Sequence, residues 1–192
     1  MATSDKRKII LKAVEKVLKD RRLDEVTMDQ VAETAGVGKG TVYRYFEDKE
    51  DLFFQMIQVF LKDESDAVAV VAASALPPRE KLIKVGETIS EQIQLHGQYI
   101  RMMHAQHNPQ RKQPGPHAVM REHHERLDRI LSQLFHDAEK AGLLRQNIDH
   151  ETLLCVYKGT IFERAMRSVH MSADVPVAQL IDLILQGVGQ ID

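Results

Sequence analysis

Residues Thr27 to Leu52 read TMDQVAETAGVGKGTVYRYFEDKEDL, and this stretch decides the fold. Thr27 with Gln30 three residues on forms a capping box. The Thr hydroxyl and the Gln side chain each satisfy a backbone N–H at a helix start. Met28, Val31, Ala32 and Ala35 follow at helical spacing, and Gly36 ends the helix because it enters the left-handed region without steric cost. A second short helix runs from about Gly38 to Phe46. Asp48 caps a third, with Asp51 three residues on and Leu52, Phe53, Met56 and Ile57 on one face. Two short helices joined by a Gly-bearing turn form a helix-turn-helix unit, whose second helix has the size to enter a DNA major groove.

Upstream, about Asp5 to Asp20 form one more helix. Ile9, Ile10, Ala13, Val14, Val17 and Leu18 make its apolar stripe, with lysines opposite. Residues 1–22 hold eight Lys and Arg against Asp5, Glu15 and Asp20, a balance of +5. Residues 23–50 hold three basic and seven acidic residues, a balance of −4, and the whole chain carries −2. A basic helix beside a less basic reading unit suits backbone contact that flanks a base-reading element. It equally describes a solvated helix face, and only the adjoining helix-turn-helix favours the first reading.

The run AGVGKGTVYRYFEDKEDL resembles the DNA-binding signature of TetR-family transcriptional regulators, and the likeness extends upstream through Ile9, Ala13, Val17 and Leu18. It joins a cap, a Gly turn, a Lys-Gly-Thr start, an aromatic triplet and a Lys-Glu cap in one register. One departure is visible: Gly38 stands where such proteins often carry Ser or Thr, which removes a hydroxyl that could contact phosphate.

Chemistry and resemblance together assign roles. Thr27 caps its helix and can present its hydroxyl to a phosphate. Lys39 and the Gly40 N–H open the recognition helix, and Gly40 lets the backbone approach DNA closely. Thr41, Tyr43, Arg44 and Tyr45 lie on or beside the exposed face, although either tyrosine could instead pack inward. Arg44 is the candidate for a bidentate guanine contact, worth about 1–3 kcal/mol of discrimination. Lys49 is assigned to a phosphate, and Val42 and Phe46 point inward. The run Gly36-Val37-Gly38-Lys39-Gly40-Thr41 is not a nucleotide-binding P-loop. Position 33 is Glu, Gly40 follows the Lys directly, and no strand precedes it.

The remainder reads as helices only, about nine in the whole chain. They cover about Asp48–Ala75, Arg79–Ile100, His117–Ala141, Glu151–His170 and a last one from Val177, with Gly97 able to kink or end the second of these. Pro77-Pro78 and Pro114-Gly115-Pro116 interrupt them. The fold class is therefore all-α. A helix-turn-helix DNA-binding domain spans residues 1–47, and an effector-binding and dimerisation domain spans 48–192. The last two helices have broad apolar faces, which points to a homodimer, the alternative being the ordinary core of a monomer. Two-fold symmetry would place paired recognition helices on half-sites about 34–36 Å apart or a multiple of that spacing. The resemblance implies the same, through a four-helix interface.

The resemblance also implies a small-molecule pocket in the second domain. Its candidate lining is Phe60, Ile93, Tyr99, Met103, His123, Leu127, Tyr157, Phe162 and Met166, each of which could equally be core. Nine histidines, among them His104, His107, His123 and His124, raise metal or haem binding as an alternative. No Cys or acidic cluster accompanies the first pair, and the second pair points about 100° apart on a helix. No cofactor and no metal are expected. Cys155 is the only cysteine, no run of 18 apolar residues occurs, and the N-terminus lacks a signal-peptide pattern, which together fit the cytoplasm. No nucleophile elbow or carboxylate pair supports catalysis, so an enzyme is not expected. The function expected is a ligand-responsive DNA-binding regulator. In the commonest form it is a repressor released from operator DNA by a small, largely apolar effector. The alternative is a helical small-molecule or metal or haem sensor with a vestigial DNA-binding module.

Overall fold

The structure is a computed structural model, and it describes residues 3–19, 21–106, 116–144, 148–170 and 175–187. Among these residues there are eight α-helices, one short 3-10 turn and no strand. The helices are α1 (Thr3–Lys19), α2 (Met28–Ala35), α3 (Lys39–Tyr45), α4 (Lys49–Ala72), α5 (Pro78–Gln106), α6 (Pro116–Lys140), α7 (His150–His170) and α8 (Val177–Gln186). The all-α expectation holds, and the count is close to the nine expected. The helix expected to kink or stop at Gly97 continues through it to Gln106. Helix α4 stops at Ala72, three residues short of expectation. The chain divides into two compact units, Met1–Val59 with Tyr99–Pro116, and Phe60–Gln98 with His117–Asp192.

In the first unit, α1 buries Ile10, Leu11, Ala13, Val14, Val17 and Leu18 with Val26, Val31, Val42 and Phe46. The expected stripe was set slightly too far round. Ile9 is 37% exposed, whereas Leu11, left out of that stripe, is 4% exposed. Both lie about 100° from the stripe's centre on opposite sides, so periodicity alone could not choose between them. The partner helices choose.

The second unit's core joins Val68 of α4, Leu82, Val85 and Ile89 of α5, and Leu127, Leu131, Leu134 and Phe135 of α6. Leu153, Tyr157 and Ile161 of α7 and Val177 and Ile181 of α8 complete it. Gly86 allows this packing. A Cβ there would meet Ile161 Cδ1 and Val177 Cγ1 at 2.9 Å and the Tyr157 hydroxyl at 3.1 Å. That hydroxyl donates to the Leu82 carbonyl. Burial pushes the Tyr157 phenol far above its ordinary pKa, so it stays a neutral donor. Arg79 clamps Asp182 with two bonds of 2.7 and 2.8 Å, fixing α8 on α5.

Candidate nucleic-acid interface

The local signals of the helix-turn-helix form as sequence chemistry requires. The Thr27 Oγ1 accepts from the Gln30 N–H at 3.2 Å, and the Gln30 side chain accepts from the Thr27 N–H at 2.9 Å. This is the reciprocal capping box. Gly36 adopts φ 66°, and its N–H reaches the Ala32 and Glu33 carbonyls, closing α2. Gly38 caps α3 with no side-chain hydrogen bond, the structural counterpart of its missing hydroxyl.

Helix α3 is divided by its packing. Val42 and Phe46 are buried, while Lys39, Gly40 and Arg44 are exposed. Tyr43 is 47% exposed, which excludes the inward alternative. Thr41 and Tyr45 are half-buried, and Thr27 is exposed at the end of α2.

The cations of this surface are held in place. The Lys39 ammonium lies 2.8 and 2.9 Å from the two carboxylate oxygens of Asp29, in the first turn of α2. The hydrogen bond to that carboxylate raises the pKa of Lys39. The Arg44 guanidinium lies 5.2 Å from the centroid of the Tyr45 ring, a cation–π arrangement that restrains its side chain. Lys49 donates to the Asp24 carbonyl at 2.8 Å and stands over the Phe53 ring. Partial burial lowers its pKa.

The turn from α3 into α4 rests on a network that sequence reasoning saw only in part. Asp48 accepts from the Asp51 N–H at 2.9 Å, as its capping position predicts. Asp51 is only 2% exposed, and its carboxylate accepts from the Glu47 N–H at 2.9 Å. It also accepts from the Gln55 amide at 3.0 and 3.1 Å, while the Gln55 carbonyl oxygen takes two bonds from Arg7 of α1 at 2.8 and 2.6 Å. Arg7 is thus committed to the scaffold. The only sequence trace of this chain of bonds is the i, i+4 spacing of Asp51 and Gln55.

The second unit holds the candidate effector residues. Phe60, Leu127 and Tyr157 are buried, Ile93 and Met166 are half-buried, and Phe162 is 51% exposed on α7, apart from that core. The side chains of Tyr99, Met103, His104 and His107 lie outside the described residues, as does the 107–115 connection. Phe60 stacks on His96 with ring centroids 3.7 Å apart.

His123 of α6 is buried and bonded. Its Nδ1 lies 2.9 Å from the Ser65 hydroxyl, which itself donates to the Leu61 carbonyl at 2.9 Å. Ser65 therefore accepts from a protonated Nδ1, and Nε2 faces the Glu64 carboxyl at 3.6 Å. Burial lowers the His123 pKa to about 4 and raises that of Glu64 to about 7. Between about pH 4 and 7 the two form a neutral pair inside the domain. Glu64 and Ser65 had no role in the sequence reading, and their only signal is two polar residues on a helix flanked by Leu61 and Val68. His124, one residue on, is exposed. Among the described residues no group of three or more His, Cys, Asp or Glu is placed to hold a metal ion.

Three comparisons place this geometry among known proteins. Residues 10–56 match the family model described as bacterial regulatory proteins, tetR family. An HTH-type transcriptional regulator of Bacillus subtilis, YhgD, is 36% identical over 78 residues, which is 41% of this chain and 41% of that protein. The chain thus spans about two fifths or less of the length of the curated relatives it matches, which are HTH-type transcriptional regulators. Across the whole chain the fold is that of a TetR/AcrR-family regulator from Thermobifida fusca. The two share a TM-score of 0.73 at 18% identity, covering 97% of this chain and 100% of that one. The regulator FadR of Bacillus subtilis, solved in complex with stearoyl-CoA, has a TM-score of 0.70 at 17% identity over 94% of this chain and 98% of that one.

Proposed function

We propose that this chain, which belongs to the TetR family of bacterial regulatory proteins, is a ligand-responsive repressor that works as a homodimer in the cytoplasm. In this reading residues 1–47 bind operator DNA, and residues 48–192 bind the effector and dimerise. The observation that carries it is the division of α3. Val42 and Phe46 anchor the helix in the core while Lys39, Gly40, Tyr43 and Arg44 are exposed, as is Thr27 at the start of α2. An exposed face that joins two cations, an aromatic ring and a glycine on one short helix suits a major groove. Arg44 reads guanine. Thr27, Lys39, Tyr43 and Lys49 engage the backbone, and Thr41 and Tyr45 line the edge of the contact.

Dimerisation through α7 and α8 is favoured by their exposed apolar side chains. Val156 and Phe162 of α7 and Leu183 of α8 remain about half exposed in the single chain. The effector is a small, largely apolar molecule held in the second unit near Phe60, Ile93, Leu127 and Met166. Helix α4 contributes residues to both compact units. An effector that prefers another position of α4 therefore lowers DNA affinity by population shift.

The test is fluorescence anisotropy of the purified protein with DNA from upstream of its own coding region, against a scrambled duplex. Selective binding that Arg44→Ala weakens by about 1–3 kcal/mol supports the reading. Stearoyl-CoA, the molecule in the FadR structure, serves as the first effector probe. If operator and scrambled duplexes bind alike and Arg44→Ala changes neither, base reading by α3 is refuted.

A further inference from the structure

The surface assigned to DNA carries a carboxylate where electrostatics alone would not place one. Asp29 is exposed, and both its oxygens contact the Lys39 ammonium. The two side chains are 64% and 59% exposed, so burial does not force the pair together. The reading unit, residues 23–50, has three cations against seven acids. Its other two cations are also restrained, Arg44 on the Tyr45 ring and Lys49 on the Asp24 carbonyl.

A carboxylate and a phosphate oxygen present similar acceptors to an ammonium. Asp29 therefore occupies the position that a DNA phosphate would take on Lys39. Affinity for the DNA backbone comes mainly from releasing counterions condensed on phosphate. A lysine already neutralised by its own protein's carboxylate adds little to that release. To pair with phosphate, Lys39 either leaves Asp29 or divides its three N–H donors between carboxylate and phosphate, and in both cases the Asp29 carboxylate then faces a polyanion.

We propose that Asp29 is an internal competitor for the phosphate backbone, which lowers the sequence-independent part of DNA affinity by holding Lys39. This rests on the DNA-binding reading above and deepens it. Arg44, which reads bases in that account, is not touched by Asp29. The pair thus leaves base reading intact while weakening the hold on DNA of any sequence. An alternative role for Asp29, orienting Lys39 toward DNA, predicts the opposite sign.

The experiment uses the full chain, a fluorescent random-sequence duplex and salt from about 50 to 200 mM. Wild type, Asp29→Asn, Lys39→Ala and the double variant are compared, with circular dichroism to verify that each is folded. Asn is close to isosteric with Asp and lies on the surface, so the fold is retained.

For Asp29→Asn the expected result is tighter binding, about two- to fivefold at the lower salt, the scale of an exposed ion pair. The slope of log K against log salt steepens by about 0.9 per protomer. Per protomer, the gain from Asp29→Asn therefore falls by roughly three- to fourfold over that salt range. In the Lys39→Ala background, Asp29→Asn no longer steepens the slope, because the change acts through Lys39. A structural role for Asp29 would not produce that dependence.

An unchanged slope, weaker binding by Asp29→Asn, or the same steepening in the Lys39→Ala background each overturns the proposal while leaving the DNA-binding reading intact. Failure of the wild type to bind any duplex at the lowest salt overturns both. Because wild-type binding is measured separately, the two failures are distinguishable.

Discussion

Removing the Asp51 carboxylate tests whether the turn between α3 and α4 is held as the structure indicates. In Asp51→Ala the Glu47 N–H loses its 2.9 Å acceptor and the Gln55 amide loses contacts of 3.0 and 3.1 Å. A hydrogen bond to a charged group contributes about 1.5–3 kcal/mol, and a buried donor left unpaired costs about 1–3 kcal/mol. These terms overlap because the Gln55 amide also donates to the Tyr45 carbonyl at 3.5 Å and keeps that partner. Alanine's better helix propensity, roughly 0.5 kcal/mol, is offset by the loss of an acid from the first turn of α4. The expected net loss is about 2–4 kcal/mol. Asp51→Asn keeps one acceptor oxygen and costs about 1 kcal/mol. With a urea dependence of about 2 kcal/mol per molar, a loss of 3 kcal/mol moves the midpoint by about 1.5 M. Because the chain forms two compact units, the local reading comes from hydrogen exchange at the Glu47 amide. That amide is expected to exchange about a hundredfold faster in Asp51→Ala. If the midpoint moves by less than about 0.3 M and the exchange rate is unchanged, the network does not hold this turn.

The buried pair in the second unit makes stability depend on pH in a way whose sign can be worked out. The folded His123 pKa lies near 4, below its unfolded value, so its contribution is complete above about pH 6.5 and is lost as pH falls toward 4. The folded Glu64 pKa lies near 7, above its unfolded value, so its contribution is complete below about pH 4.5 and is lost as pH rises toward 7. The slopes oppose each other between about pH 4.5 and 6.5. Glu64→Gln removes one of them: urea midpoints should then fall more steeply with acidification than in the wild type, and should exceed the wild type near pH 8. Parallel profiles for the two proteins would count against a neutral buried pair. On the exposed face of α7 and α8, Phe162→Glu with Leu183→Glu is expected to yield a folded monomer by analytical ultracentrifugation, since both side chains are more than half exposed. An unchanged dimer would place the interface elsewhere.

Much of the first unit was legible because its signals are local. The Thr27–Gln30 box, the Gly36 stop, the Asp48 cap and the alternation of Val42 and Phe46 with exposed residues each depend on neighbours within a few positions. Backbone sterics and short-range hydrogen bonds decide such features, so a linear string records them. The helical class of the second unit was legible for the same reason, through 3.6-residue periodicity. Tertiary structure decided what lay between elements. It exchanged Ile9 for Leu11 on the buried face of α1 and committed Arg7 to Gln55, 48 positions away. It gave Lys39 to Asp29, paired Glu64 and Ser65 with His123 some 58 positions on, and left Phe162 outside the core. A charged or polar side chain on a helix reads the same whether it meets water, a phosphate or a partner from a distant turn. Which one it meets depends on how the helices pack, and the energy of that choice resides in contacts between residues far apart in the chain.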